Sequence, residues 1–100
     1  QIKISGHRVE LMDIEAHIQK QPGVNQVICF VDKLQNKDVL VVALTTTHAI
    51  SFQSLVERLQ KELPAYMIPK HHIFMESFPL NNNGKIDRKM IHSIYQNQKP

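Results

Sequence analysis

Two stretches rich in β-branched residues, 24–31 and 39–47, constrain the fold of this chain most strongly. They are separated only by the polar segment 32–38, which has the composition of a turn. Because β-branched side chains favour extended backbone, the pattern predicts two adjacent antiparallel strands. A chain of 100 residues is too short to divide its apolar residues between two cores, so one compact domain with a radius of gyration of about 13 Å is expected.

Three amphipathic helices are predicted, each with Asp or Ser as its N-cap. Asp13 would cap the first, which ends at the Gln-Pro-Gly stop of residues 21–23. Ser51 would cap the second, which ends at Pro64, and Asp87 would cap the third. The apolar positions at helical spacing in the three helices are Leu11, Ile14 and Ile18, then Phe52, Leu55, Val56, Leu59 and Leu63, then Met90, Ile91, Ile94 and Tyr95.

The remaining segments complete the predicted topology. An extended or hairpin segment opens the chain and is interrupted at Gly6, where a residue without Cβ permits a bend. A stiff, proline-flanked linker at 63–69 leads to a short strand near residues 73–78, at whose start His71 and His72 would point to opposite faces. The order β-α-β-β-α-β-α predicts an α+β fold, a small sheet with helices packed against it.

Charge restricts the classes of partner. The formal net charge is +3, and the excess lies in residues 85–100. A positive segment suits a phosphate-bearing partner, although the charge is modest for a nucleic-acid binder and no platform of aromatic side chains for stacking bases is evident. A small basic nucleic-acid-binding module therefore stays open as an alternative. The charged residues of the segment are Lys85, Arg88, Lys89 and Lys99 against Asp87.

Several other classes are disfavoured. The longest apolar runs, 39–44 and 27–31, are far shorter than the roughly 18 to 20 residues that span a bilayer, so no membrane span is expected. The single cysteine, Cys29, rules out an internal disulfide framework and favours a reducing compartment, the cytoplasm. It lies in an apolar run, which indicates a buried, inert thiol. The missing initial Met suggests a chain cut from something larger.

Most candidate reactive groups are better explained structurally. The six histidines offer no i, i+4 pair with a carboxylate partner, so no metal site is predicted. Asp13 and Glu15 are a possible carboxylate pair, but their place in a first helical turn favours capping and compensation of the helix dipole. Tyr66 and Met67 are expected to pack between two prolines.

The loop 79–85 allows two interpretations, one structural and one functional. Asn83 and Gly84 are typical of an ordinary turn, in which a following lysine is solvated. The functional alternative is a glycine-hinged tip that delivers the Lys85 ammonium to an anion. The loop is not a Walker loop, because that motif needs glycine where Pro79 stands and Ser or Thr where Ile86 stands.

Three stretches in fixed order resemble the C-terminal subdomain of the adenylate-forming superfamily of acyl- and aryl-CoA ligases, luciferases and the adenylation domains of nonribosomal peptide synthetases. They are residues 1–11 (QIKISGHRVEL) with 13–15 (DIE), residues 63–69 (LPAYMIP) and residues 83–88 (NGKIDR). The turn at 21–24 is also similar. The resemblance covers nearly the whole chain and is closest to amino-acid adenylation domains and D-alanine carrier-protein ligases.

The resemblance implies that Lys85 is catalytic: on a mobile loop supported by Asn83 and Gly84, it would contact the substrate carboxylate and phosphate oxygens during adenylation. It also implies a second working face for thioester formation. There, Gly6 would lie beside the tunnel for phosphopantetheine, and Lys3 and Arg8 would lie near the active site. A rotating lid would present these two faces in turn.

By the same resemblance, residues 1–100 are the lid of a larger enzyme whose N-terminal core, absent from this chain, binds most of ATP and Mg²⁺ and contains the substrate pocket. The implied partners are that core and a carrier protein bearing phosphopantetheine. The chain departs from the family at Met12-Asp13, where Gly-Glu is common, and at Asn81-Asn82, where Thr-Pro is common. The expected function is the C-terminal part of an amino-acid adenylating ligase; an acyl- or aryl-CoA ligase lid and a purely structural interaction domain are the alternatives.

Overall fold

A computed structural model describes residues 2–4 and 6–98. Gln1 and Ser5, which belong to the first resembling stretch, and Lys99 of the basic segment lie outside the described residues. The elements in chain order are β1 (Ile2–Ile4), β2 (His7–Val9), α1 (Leu11–Gln19), β3 (Val24–Leu34), β4 (Lys37–Thr46), α2 (Phe52–Leu59), β5 (His71–Phe74) and α3 (Arg88–Gln98). A short 3-10 helix, Ala65–Met67, precedes β5. The radius of gyration is 13.2 Å, as expected for one domain.

The central sheet has the strand order β3-β4-β5. β3 and β4 are antiparallel, which confirms the predicted pair, and β5 lies parallel to β4. The turn between β3 and β4 is shorter than the predicted segment 32–38: the strands continue to Leu34 and Lys37, and only Gln35 and Asn36 connect them. Both connecting residues have positive φ, 51° and 66°, the backbone of a tight hairpin whose twist matches its strands.

Both faces of the central sheet are covered, so the helices pack on it as predicted. On one face of β3 and β4, side chains two residues apart meet α1, α2 and the β1–β2 hairpin. On the other face they meet α3. The first cluster contains Ile4, Val9, Ile14, Ile18, Val27, Cys29, Leu40, Val42, Leu44, Leu55 and Leu59 among others. The second contains Ile28, Ala43, Ile73, Phe78 and Ile91.

The helix caps agree with two of the three predictions. The Ser51 side chain accepts a hydrogen bond from Ser54 N, and the Asp87 side chain accepts one from Met90 N. The prediction for Asp13 is wrong: α1 begins at Leu11, after Glu10, and Asp13 lies within its first turn. Glu10 O accepts the backbone bonds that begin this helix, so the chain enters α1 directly from the hairpin without a side-chain cap.

The last strand lies earlier than predicted. β5 covers residues 71–74, not 73–78, because only these residues pair with β4. The chain then leaves the sheet, and Phe78 packs into the second cluster from a loop. His71 and His72 lie on opposite faces, as their positions in a strand require, and the His72 ring stacks on Phe52 with 4.0 Å between the ring centroids. Within residues 2–4 and 6–98, every helix is too short or too polar to cross a bilayer.

The attachment of α3 depends on one fully buried side chain. Ile91 has no exposed surface and is the residue of α3 that is buried in the second cluster. Ile91→Ala removes three heavy atoms from a packed site and is expected to lower the free energy of unfolding by about 2–5 kcal/mol. Urea denaturation of the 100-residue chain measures this, with Ser93→Ala, an exposed position on the same helix, as the control. A loss below ~1 kcal/mol would contradict this packing of α3.

Candidate functional site

The loop that carries Lys85 is organised by the side chain of Asn81. Its Oδ1 accepts hydrogen bonds from Asn83 N at 2.9 Å and from Lys85 N at 3.1 Å. The Asn81 backbone contributes two more, from Gly84 N to Asn81 O at 3.0 Å and from Asn81 N to Lys85 O at 2.7 Å. The predicted supporting residues Asn83 and Gly84 thus lie in one ordered turn with Lys85. Sequence reasoning missed Asn81, although Asn is a residue type that bonds its own backbone two residues on.

The two ends of this loop are tied together. Leu80 and Ile86 form an isolated antiparallel bridge, and Asp87 N donates to Pro79 O at 2.9 Å. Gly84 has φ +79°, a left-handed value that L side chains rarely adopt, so the turn favours glycine at this position. Lys85 itself is exposed, and its ammonium makes no ion pair with any residue in the described part of the chain. The loop therefore presents a free cation on a fixed backbone.

The carboxylate of Glu15 connects this region to α1 and β3. Its Oε2 accepts a hydrogen bond from Cys29 N at 2.8 Å and another from Arg88 Nη1 at 3.2 Å. Asp13, by contrast, is exposed. The two carboxylates therefore have different surroundings. Neither caps α1 as the sequence predicts: Asp13 lies in the first turn of the helix, and Glu15 binds Cys29 N and Arg88 instead.

The Cys29 thiol is buried and free, as the sequence predicts. Burial raises its pKa far above the usual value, and the nearby Glu15 carboxylate raises that pKa further. The reactive thiolate is therefore suppressed, and Cys29 acts as a small core residue.

The second group of predicted site residues lies on the β1–β2 hairpin. Lys3 and Arg8 are directly opposite each other in the register, and both are exposed, while Ile4 and Val9 are buried on the other face. Two like charges in directly opposed positions are unfavourable in an isolated hairpin, which is consistent with an anionic partner for this face. Gly6, in the turn, has φ +82°, and a Cβ built there would meet no atom of the described residues beyond its chain neighbours within 4 Å.

A cavity of about 780 Å³ lies beside the hairpin. Its charged lining residues are the cations Lys3, Lys37 and Lys70 and the anion Asp38, and the His7 and Tyr66 rings also line it. The rings of His7 and Tyr66 stack with their centroids 4.0 Å apart and their planes 9° from parallel. Tyr66 also packs against the first core cluster, as predicted, but its stack with His7 joins the hairpin to the proline-flanked linker. No cluster of three or more potential metal ligands occurs within residues 2–4 and 6–98.

Asn81→Ala is expected to lower an activity that depends on Lys85 about tenfold. The change removes two side-chain hydrogen bonds, each worth about 0.5–1.5 kcal/mol, that hold the loop in one conformation. The control is Asn82→Ala, since Asn82 is exposed and makes no side-chain hydrogen bond to the described residues. The measurement is the initial rate of the activity expected from the resemblance, carboxylate-dependent ATP–pyrophosphate exchange, in a longer protein that contains this chain. Equal rates for the two variants would contradict the organising role of Asn81.

The chain is similar over most of its length to one domain family. The family described as AMP-binding enzyme C-terminal domain matches residues 13–85. Surfactin synthase subunit 3 of Bacillus subtilis is 35% identical over 99 residues, which cover 98% of this chain and 8% of that protein. The chain thus spans less than a tenth of the length of this curated relative.

Solved structures give the same likeness. A four-domain nonribosomal peptide synthetase bound to AMP and glycine matches with a TM-score of 0.79 and 36% identity, over 89% of this chain and 7% of that one. A fatty acyl CoA synthetase of Mycobacterium tuberculosis matches with a TM-score of 0.86 and 28% identity, over 99% of this chain and 20% of that one. These likenesses confirm the α+β fold expected from the sequence.

Proposed function

The chain belongs to the AMP-binding enzyme C-terminal domain family, and on that premise we propose that residues 1–100 are the lid subdomain of an ATP-dependent amino-acid adenylating ligase. This ligase forms an aminoacyl-AMP and then a thioester on the phosphopantetheine of a carrier protein. The observation that carries the proposal is the ordered loop that presents the Lys85 ammonium, which forms no ion pair with the residues that the structure describes.

Lys85 is the proposed catalytic residue of the first half-reaction. When the substrate carboxylate attacks the α-phosphate of ATP, negative charge accumulates on the phosphate oxygens and on the leaving pyrophosphate. An ammonium held by a fixed backbone stabilises that charge without a large reorganisation at the moment of reaction. Asn83 and Gly84 support the loop in the conformation that places the ammonium.

The hairpin is the proposed face for the second half-reaction. A glycine at the turn lets another group approach the backbone closely, which suits passage of a phosphopantetheine arm past Gly6. Lys3 and Arg8 offer two exposed cations beside that path. Because the hairpin and the Lys85 loop are different elements, rotation of the subdomain exchanges one face for the other.

The partners follow from this assignment. The N-terminal core of the complete enzyme holds most of ATP and Mg²⁺ and selects the amino acid, and a carrier protein supplies the thiol. A D-alanine carrier-protein ligase is one member of this class. We place the protein in the cytoplasm, since its described cysteine is a buried free thiol and its proposed substrates are intracellular. Nucleic acid is not among the proposed partners.

An acyl- or aryl-CoA ligase is the second candidate function. It is favoured by one observation, the TM-score of 0.86 with a fatty acyl CoA synthetase. In that case the same two faces would serve an acid other than an amino acid, and coenzyme A would replace the carrier protein as the acceptor of the acyl group.

Carboxylate-dependent ATP–pyrophosphate exchange by a complete enzyme containing this chain tests the proposal. The panel contains amino acids, fatty acids and aryl acids, and the acceptors offered afterwards are a phosphopantetheinylated carrier protein and coenzyme A. Exchange with one amino acid, followed by loading of the carrier protein, is the expected result. Exchange with a fatty or aryl acid and transfer to coenzyme A would establish the second candidate, and no exchange with any acid would refute both.

A further inference from the structure

An ion pair joins the end of the Lys85 loop, where α3 begins, to α1. Arg88, the first residue of α3 and three residues after Lys85, donates from Nη1 to Glu15 Oε2 at 3.2 Å. The two residues are 73 positions apart in the chain. Glu15 lies on α1, which begins two residues after the end of the β1–β2 hairpin. The ion pair therefore connects the helix beside the hairpin, the proposed face for thioester formation, to the end of the loop that carries Lys85.

The acceptor side of this pair is rigidly held. The same Oε2 atom accepts the backbone N–H of Cys29 at 2.8 Å, and the Glu15 side chain is only 15% exposed. Cys29 lies in β3 and its side chain is buried in the core. Glu15 therefore presents a carboxylate oxygen whose place is fixed by the central sheet, and Arg88 binds the start of α3 to that fixed point.

The position of the Lys85 ammonium depends on a fixed attachment of this kind. This ammonium is exposed and makes no ion pair in the described part of the chain, so its position depends on the backbone of the loop and on where the loop is attached. Asn81 fixes the internal shape of the loop, but its bonds stay within residues 81–85. Ile91 holds α3 against the sheet one turn further along. Between these two points, Arg88 forms a side-chain hydrogen bond to another element, α1.

We propose that Glu15 and Arg88 are a positioning pair that fixes the Lys85 loop for adenylation. The inference rests on the proposed function of Lys85 and adds two residues that act through it. A catalytic group displaced by about 1 Å can lose about a hundredfold in rate, whereas an ion pair with one exposed partner, here Arg88, contributes little to stability. The pair should therefore affect the first half-reaction more than it affects folding.

The test is a double-mutant cycle in a complete enzyme, with Glu15→Gln, Arg88→Gln and the double variant. Glu15→Gln keeps an oxygen for Cys29 N while removing the charge that holds Arg88. Each single change is expected to lower kcat for ATP–pyrophosphate exchange about tenfold with KM for ATP unchanged, because only transition-state positioning is lost. The double variant should be no slower than the slower single variant, since the two residues act as a unit.

Two further measurements separate positioning from a structural role. Thioester formation from a supplied aminoacyl-adenylate and the melting temperature should both stay near the wild-type values. Lys33→Gln, which breaks the exposed pair with Asp38 at 4.0 Å far along the chain from the loop, is the control for the first half-reaction and should leave ATP–pyrophosphate exchange unchanged. Arg88→Lys should recover part of the lost rate.

Three outcomes would overturn the proposal. Equal losses in both half-reactions with a lower melting temperature would make the pair a structural contact. A loss in Arg88→Gln without one in Glu15→Gln would mean that Arg88 acts on substrate directly. Additive losses in the double variant would mean that the residues act independently. Failure of the proposed function is distinct, because the wild-type enzyme would then show no exchange with any acid.

Discussion

Lys85→Ala is expected to reduce carboxylate-dependent ATP–pyrophosphate exchange by about 100- to 1,000-fold in a complete enzyme. At an effective dielectric constant of about 20, a unit charge about 4 Å from another contributes about 4 kcal/mol before the cost of desolvation. That energy corresponds to a rate factor of about a thousand, and water that enters the vacated space recovers part of it. The loss should appear in kcat, because the charge it offsets develops in the transition state.

The control for this prediction is Lys61→Ala. Lys61 is also exposed and also without an ion pair among the described residues, but it lies just after α2 and away from the loop in sequence. It should leave exchange unchanged. The Lys85→Ala variant should still load the carrier protein from a supplied aminoacyl-adenylate, because the hairpin is intact. A drop of less than fivefold in exchange would remove Lys85 from the chemistry.

Much of the fold could be predicted because local signals agree with the tertiary structure. The β-branched runs gave the central antiparallel pair, and Ser51 and Asp87 are true caps. The predictions are wrong where tertiary contacts, and not the local sequence, determine the structure. The turn at 32–38 contains polar residues of two different kinds: Gln35 and Asn36 form the turn, whereas Asp32 is buried in β3 and accepts hydrogen bonds from His92 and Gln96 of α3. Nothing local in the sequence distinguishes them.

In the candidate site, too, some features could be predicted from the sequence and others could not. The glycines at its two turns could be found from the sequence, since both require positive φ. The pairing of Glu15 with Arg88 could not, because it joins residues 73 positions apart and depends on how α1 and α3 approach β3. The stack of His7 on Tyr66 was missed for the same reason. The resemblance predicts which residues form the site, and the contacts indicate how those residues are held.

Gly6→Ala and Gly84→Ala are expected to damage opposite half-reactions, and they form a matched pair. Their φ values are +82° and +79°, and in the part of the chain that the structure describes a Cβ built at either contacts nothing beyond its chain neighbours within 4 Å. The strain of a left-handed alanine, about 1–2 kcal/mol, should therefore be the same at both sites. We expect Gly6→Ala to slow thioester formation about a hundredfold with nearly normal exchange, and Gly84→Ala to slow exchange about tenfold with nearly normal thioester formation.

The asymmetry follows from what surrounds each glycine in the complete enzyme. The space at Gly6 is empty of side chains from the described residues. A loss larger than backbone strain explains must therefore come from a group that approaches the turn, which we propose to be the phosphopantetheine arm. Asparagine separates the two causes, since it tolerates left-handed backbone but adds a longer side chain. Gly84→Asn should recover exchange relative to Gly84→Ala, whereas Gly6→Asn should form thioester no faster than Gly6→Ala. Recovery in both asparagine variants would mean that backbone strain alone explains the two glycines, and the hairpin would lose its proposed role in thioester formation.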